Sequence, residues 1–180
     1  SLESAVEGLL NLLDVKYCVS HWEFIVTPQE RIALVEGHLR PAGDRIMELV
    51  EHSTGRSPTA VLCEALARRE ADFRFEPRGS CGIFWLIPQS VLEEVREVKV
   101  EGEAAEGLCE DLYVNVEGIK ATANWKEASD WMTRFAHVMA KGRDLEEVKE
   151  KCREVARSVK LSGTAGGREA TTRLKLAVDS

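Results

Sequence analysis

Two runs of residues near the amino terminus, Tyr17 to Thr27 and Arg31 to Arg40, are separated only by the polar segment Pro28-Gln29-Glu30. Runs of this length broken by turn-forming residues read as strands. With so short a connection they have one economical arrangement, an antiparallel β-hairpin. A hairpin decides which side chains meet. Strand side chains alternate between faces, so His21 and Glu23 share one face of the first strand, while Glu36, His38 and Arg40 share one face of the second. Either a two-residue turn at Gln29-Glu30 or a four-residue turn from Pro28 to Arg31 sets Glu23 opposite Glu36 and His21 opposite His38.

Like charges directly opposed on neighbouring strands destabilise a sheet, because their side chains start only about 4.5 to 5.5 Å apart. Two facing glutamates therefore call for a cation. A hard ion such as Mg²⁺ accepts carboxylate oxygens and completes its shell with substrate phosphates. The competing reading is a solvent-facing pair on an edge hairpin, its charges held apart by flexible stems. Arg40 favours the ion site, since a guanidinium offers a fork that matches phosphate or carboxylate. Just beyond it, Gly43 and Asp44 stand at a predicted helix start, where backbone N–H groups attract an anion. Asp44 and Arg45 are candidates to orient that pocket, or else an ordinary helix cap and a surface cation.

The remainder of the chain reads as α+β. Leu2, Val6, Leu9, Leu10 and Leu13 predict an opening amphipathic helix ended by Asp14. Ile46, Leu49 and Val50 mark a short helix closed by Gly55, and Ser57-Pro58 starts another with Val61, Leu62, Ala65 and Leu66 inward. A first unit is expected to end near Arg69. From Arg74 to Lys120, short apolar runs such as Ile83–Ile87 and Leu112–Val116 predict a small antiparallel sheet, with a further strand over Thr133–Ala140. Asp144 and Glu147 form a capping box for a helix carrying Leu145, Val148, Cys152, Val155 and Val159. After Ser162 the sequence is rich in Gly, Thr and Ala and is expected to be a mobile tail. The expected division is 1–70, 71–161 and 162–180.

Composition narrows the class. With 180 residues, 44% of them hydrophobic, the chain can bury a core, which excludes disorder as its main description. A net charge of −7, from 31 acidic and 24 basic residues with no basic cluster, argues against a nucleic-acid partner. No apolar run reaches the ~20 residues that cross a bilayer, so no membrane span and a cytoplasmic location are expected. The five cysteines, Cys18, Cys63, Cys81, Cys109 and Cys152, form no Cys-x-x-Cys pair and read as buried free thiols in a reducing compartment. Trp22, Trp85, Trp125 and Trp131 read as packing residues, Trp22 pointing away from the face of Glu23. His52 and His137 stand alone in their segments and read as surface or core histidines.

The segment Glu36-Gly37-His38-Leu39-Arg40-Pro41-Ala42-Gly43-Asp44, taken with Glu23, resembles the ATP-grasp carboxylate-amine ligases. Their metal site has one glutamate on a first strand and Glu-x-Asn-x-Arg on the next. Glu23, Glu36 and Arg40 match, and His38 stands where asparagine is usual. The resemblance continues at Glu48–Val50 and Thr54-Gly55. With lower specificity it extends over residues 74 to 161, where the run Arg134 to Gly142 looks like the carboxy-terminal subdomain of L-amino acid ligases. It implies the carboxy-terminal lobe of an ATP-grasp fold, hairpin and helices, plus a smaller antiparallel sheet subdomain. The ATP-clamping lobe and the amino-terminal domain would then lie upstream of Ser1, in a longer protein or on a separate chain.

The resemblance also implies an activity: a carboxylate is phosphorylated by ATP and an amine displaces the phosphate, with amino acids as the expected substrates. Glu23, Glu36 and His38 would hold Mg²⁺ (or Mn²⁺). Arg40 would steady the transferred phosphate as the catalytic cation, with His21, Gly43, Asp44 and Arg45 around phosphate or substrate. Imidazole suits softer metals than magnesium, so for His38 a contact to phosphate or packing beside His21 stays open. Two further readings use the same residues: a binding or assembly domain that keeps the fold without turnover, and a transition-metal hydrolase built on His21, Glu23, Glu36 and His38. The oligomeric state is open, a homodimer being one option.

Overall fold

The computed structural model describes residues 1–68, 71–101, 107–121 and 135–179. The chain divides into two compact units, Ser1–Arg78 and Gly79–Ser180. In the first, α1 (Leu2–Leu12) precedes strands β1 (His21–Val26) and β2 (Ile32–His38), then helices α2 (Ile46–Thr54) and α3 (Pro58–Arg68). Ser1 caps α1 by accepting the Ser4 N–H. Asp14, in the left-handed region at φ 50°, ends the turn that follows it. Gly55, with φ 75°, closes α2 as expected. The expected boundary near Arg69 falls on undescribed residues, and the unit continues to Arg78 for a visible reason. Arg56 donates to the carbonyls of Asp72 and Arg74 at 2.6 Å each, and the Arg78 N–H donates to Ser53 O at 2.7 Å, so this segment is tied back to the corner between α2 and α3.

The hairpin turns differently from either loop considered above. Thr27 N–H donates to Arg31 O and Glu30 N–H to Thr27 O, both at 2.9 Å, which leaves a three-residue loop with Glu30 in the left-handed region at φ 57°. That loop pairs Val26 with Ile32, Ile25 with Ala33 and Phe24 with Leu34. Continued without interruption, it would place Glu23 against Val35 and send Glu36 to the other face. A β-bulge at Glu23/Phe24 takes up Val35 as an extra residue, so the strands resume with Glu23 opposite Glu36, Trp22 opposite Gly37 and His21 opposite His38. The face opposite Glu23 is closed by Trp22, whose indole N–H donates to Ser20 Oγ at 2.8 Å. A Cβ on Gly37 would lie 2.3 Å from Trp22 Cε3 and Cζ3, so only glycine lets the ring cover the strand here.

The second unit is built on a six-stranded sheet in the order β4-β7-β8-β3-β6-β5, antiparallel at every pairing. Its strands are β3 (Ser80–Pro88), β4 (Glu94–Val100), β5 (Asp111–Val114), β6 (Ala136–Gly142), β7 (Val159–Ala165) and β8 (Arg168–Leu176), with helices α4 (Val116–Ala121) and α5 (Leu145–Ser158). The run expected to be a strand through Val116 stops at Val114, because the Asn115 side chain accepts the Gly118 N–H at 2.9 Å and starts α4. Asp144 caps α5 by accepting the Glu147 N–H at 2.9 Å, and Val148, Cys152, Val155 and Ala156 pack with Val138, Ala140, Leu161, Leu174 and Leu176 as one core. The start of the expected Thr133 strand, together with Arg134, Trp125 and Trp131, lies outside the described residues.

The expected mobile tail is instead half of the sheet's centre. Gly166 and Gly167, at φ 58° and 69°, make the two-residue turn that joins β7 to β8, and β8 lies between β7 and β3. Leu174 and Leu176 are at most 1% exposed, each worth about 1.5–3 kcal/mol of burial. The small side chains of this segment reflect a tight turn and a buried strand face. Among the cysteines no disulfide forms; Cys152 is buried, Cys18, Cys81 and Cys109 are half-buried, and Cys63, against expectation, is exposed on α3.

Four outcomes are expected. Ending the chain at Leu161 removes β8 and abolishes the cooperative melting of the second unit, as read by calorimetry of the shortened and intact chains. Gly37→Ala displaces the Trp22 ring and costs about 1–3 kcal/mol in urea unfolding followed by tryptophan fluorescence. Burial pushes the Cys152 thiol up to about 12, so between pH 9 and 12 the unfolded chain loses a proton that the folded one keeps, and stability falls as pH rises. Alkylation below pH 9 modifies Cys63 readily and Cys152 only after unfolding, which mass spectrometry of labelled peptides distinguishes.

Candidate metal and phosphate site on the hairpin

On the bulged hairpin, His21, Glu23 and Glu36 form a group in which one ligand atom from each lies within 4.8 Å of the others. His21 Nε2 is 3.4 Å from Glu23 Oε1, and its side chain is 19% exposed while the two glutamates are about half exposed. His38 lies beside the group: its Nε2 is 3.2 Å from Glu36 Oε1, its side chain is 40% exposed, and its ring stacks on His21 at 6.3 Å between centroids. The convergent set thus contains the histidine assigned from sequence to phosphate or substrate and leaves out the one assigned to metal. His21 Nδ1 is buried and, among the described residues, has no hydrogen-bond partner, a condition that costs about 1–3 kcal/mol for a buried polar atom.

The strand ends at His38, so Arg40 sits in the following bend and alternation no longer decides its direction. Its guanidinium is exposed and donates to Pro41 O at 2.9 Å, and among the described residues it has no carboxylate partner. Arg45 is differently placed. Its Nε donates to Glu48 Oε1 at 3.0 Å, and its Nη2 also binds Glu48 Oε2, so this cation is neutralised at the start of α2. Asp44 and Arg45 both hold positive φ, 50° and 61°, and Arg45, not Asp44, is the helix cap, with no side-chain capping bond. The Ile46 N–H is spent on Gly43 O at 3.0 Å, so the first helical donor does not face an anion. A Cβ on Gly43 would meet nothing within 4 Å, so the backbone there is open to an approaching molecule.

The sequence reading missed two features of this site. Glu48 was assigned no part beside Arg45, although the i, i+3 spacing at a helix start is the signal that would have found it. Val35 carries no residue-level sign that it is the extra residue of a bulge.

The donor chemistry fits a divalent cation. Two carboxylates suit a hard ion, and an imidazole extends the set to softer ones. No family model matches the sequence, and no curated protein matches it. Among solved structures, the L-amino acid ligase of Bacillus licheniformis matches with a TM-score of 0.66 at 14% identity, over 89% of this chain and 39% of that one. The phosphoribosylaminoimidazole carboxylase ATPase subunit of Aquifex aeolicus matches with a TM-score of 0.54 at 19% identity, over 85% and 43%. The biotin carboxylase domain of Hydrogenobacter thermophilus 2-oxoglutarate carboxylase, solved with MgADP, matches with a TM-score of 0.54 at 11% identity, over 95% and 36%. The chain spans about two fifths of the length of these proteins, all of them ATP-grasp enzymes. Over most of its length, therefore, the chain carries the α+β fold of the ATP-grasp enzymes.

Proposed function

We propose that the chain is the carboxy-terminal, metal- and phosphate-binding part of an ATP-dependent ligase that joins a carboxylate to an amine through an acyl phosphate, with amino acids as substrates. One observation carries this reading: Glu23 and Glu36 face each other across the bulged hairpin, and Arg40, four residues beyond Glu36 in the chain, is exposed and has no carboxylate partner among the described residues. Glu23 and Glu36 are the residues that would hold Mg²⁺, which when bound supplies positive charge to the phosphates of ATP. Arg40 offers its fork to the transferred phosphoryl group, whose charge spreads over its outer oxygens as it moves. The open backbone at Gly43 leaves room for the substrate carboxylate.

The ATP-clamping lobe would be supplied by the same longer protein or by a separate chain. Exposed apolar side chains on the hairpin, including Ile25, Val26 and Val35 at 55–59% exposure, support a covering partner. Among the described residues no helix is long and apolar enough to cross a membrane, and the free thiols fit a cytoplasmic setting. A homodimer is proposed by analogy with the biotin carboxylase domain, which was solved as a dimer. A second reading, a binding or assembly domain without turnover, is favoured by His38 standing where the ligases have asparagine.

The complete protein, supplied with ATP, Mg²⁺ and a panel of amino acids, is expected to release ADP and, with hydroxylamine, to yield a hydroxamate from the acyl phosphate. Glu36→Gln should lower that turnover by about 10²-fold or more, while its melting temperature stays level or rises because the carboxylate repulsion is relieved. A folded protein that releases no ADP across the panel would establish the binding-domain reading instead.

A further inference from the structure

We infer that His21 is a third metal ligand, and that it turns the paired-glutamate site into one that prefers a borderline divalent ion such as Mn²⁺, Co²⁺ or Zn²⁺ over Mg²⁺. The inference rests on the reading of Glu23 and Glu36 as metal ligands and extends it to the class of ion.

Three observations carry it. One ligand atom each from His21, Glu23 and Glu36 lies within 4.8 Å of the other two. Ligands on one ion of this class sit about 2.0–2.2 Å from it, so opposite ligands are at most about 4.4 Å apart. Small rotations of the glutamate stems, which are half exposed, close that difference. The 3.4 Å between His21 Nε2 and Glu23 Oε1 already suits neighbouring ligands. Second, His21 is the drier of the two histidines, 19% exposed against 40% for His38; among the described residues its buried Nδ1 has no hydrogen-bond partner, and its other nitrogen, Nε2, is the one that meets Glu23. Third, the ring is held by its cross-strand neighbour: His38 stacks on it, and the pairing of His21 with His38 is set by the same bulge that aligns the glutamates. Imidazole binds Mn²⁺, Co²⁺ and Zn²⁺ well and Mg²⁺ poorly, while two carboxylates serve either kind. The added nitrogen therefore separates the ions.

The test measures binding, apart from turnover. The purified chain is titrated with Co²⁺, followed by its visible absorption, and with Mg²⁺ by calorimetry, alongside His21→Gln and His38→Gln, each checked for folding by circular dichroism. The expected result is one Co²⁺ per chain bound at least tenfold tighter than Mg²⁺. His21→Gln should lose at least tenfold in Co²⁺ affinity with Mg²⁺ affinity within twofold of the parent, and His38→Gln should change neither. A folded His21→Gln chain that binds Co²⁺ like the parent would overturn the inference. A measurement on the unaltered chain covers the case in which the variant does not fold: substoichiometric Mn²⁺ should broaden the imidazole resonances of His21 more than those of any other histidine, and broadening centred elsewhere would equally overturn it. ADP release with Mg²⁺ but no Co²⁺ bound through His21 refutes this inference and leaves the ligase reading standing. Co²⁺ bound through His21 without ADP release does the reverse.

Discussion

Two carboxylates held opposite each other on adjacent strands form an arrangement that a hairpin does not adopt for its own stability. Glu23 and Glu36 repel, and the loop between their strands, left to itself, would separate them by turning Glu36 to the other face. The bulge that absorbs Val35 reverses this. It adds one residue to one strand and so restores the opposition that the turn removes. Trp22 lying over Gly37 on the far side then gives the distorted ladder a packed backing. A local irregularity that preserves an unfavourable charge pair is the pattern expected where a ligand, absent from the folding of the bare chain, supplies the missing stabilisation.

The second unit follows the opposite logic. Its core is formed from regular pieces: an amphipathic helix with an acidic cap, laid on one face of an antiparallel sheet whose inward side chains are Val, Leu and Ala. Half-exposed apolar residues gather on the hairpin of the first unit, whereas in the second Leu161, Leu174 and Leu176 of the sheet and Val148 and Val155 of α5 are fully buried, with Leu145 at the start of α5 left exposed. The likeness to ATP-grasp enzymes covers most of the chain but only about two fifths of each relative, so what is shared is a scaffold. Folds of this kind host more than one reaction, so the scaffold by itself does not name the chemistry.

Much of this was legible in order along the chain. Helical spacing, the left-handed cap at Gly55 and the capping box at Asp144 are local rules, satisfied within a few residues of where they are written. The opposition of Glu23 and Glu36 was also legible, although by way of a turn the molecule does not use: a two- or four-residue loop and a three-residue loop with a bulge arrive at the same pairing. Less is legible after Ser162, where the Gly, Thr and Ala content suggests looseness while β8 is in fact buried in the sheet. Gly166-Gly167 between alternating segments is a hairpin signal, but composition outweighed it.

What the amino-acid sequence determined by itself is the set of local elements and the identity of the acidic, imidazole and guanidinium groups near the hairpin, because periodicity and turn chemistry act over a few residues. Tertiary structure decided which of those groups converge. A bulge in one strand, a ring stacked on its neighbour and an ion pair between Arg45 and Glu48 select His21 over His38 for the cluster and, among the described residues, leave Arg40, not Arg45, without a carboxylate. The physical reason is that convergence depends on register and side-chain packing, which are settled only when the strands pair and the helix start closes, and neither event is recorded in the spacing of residues.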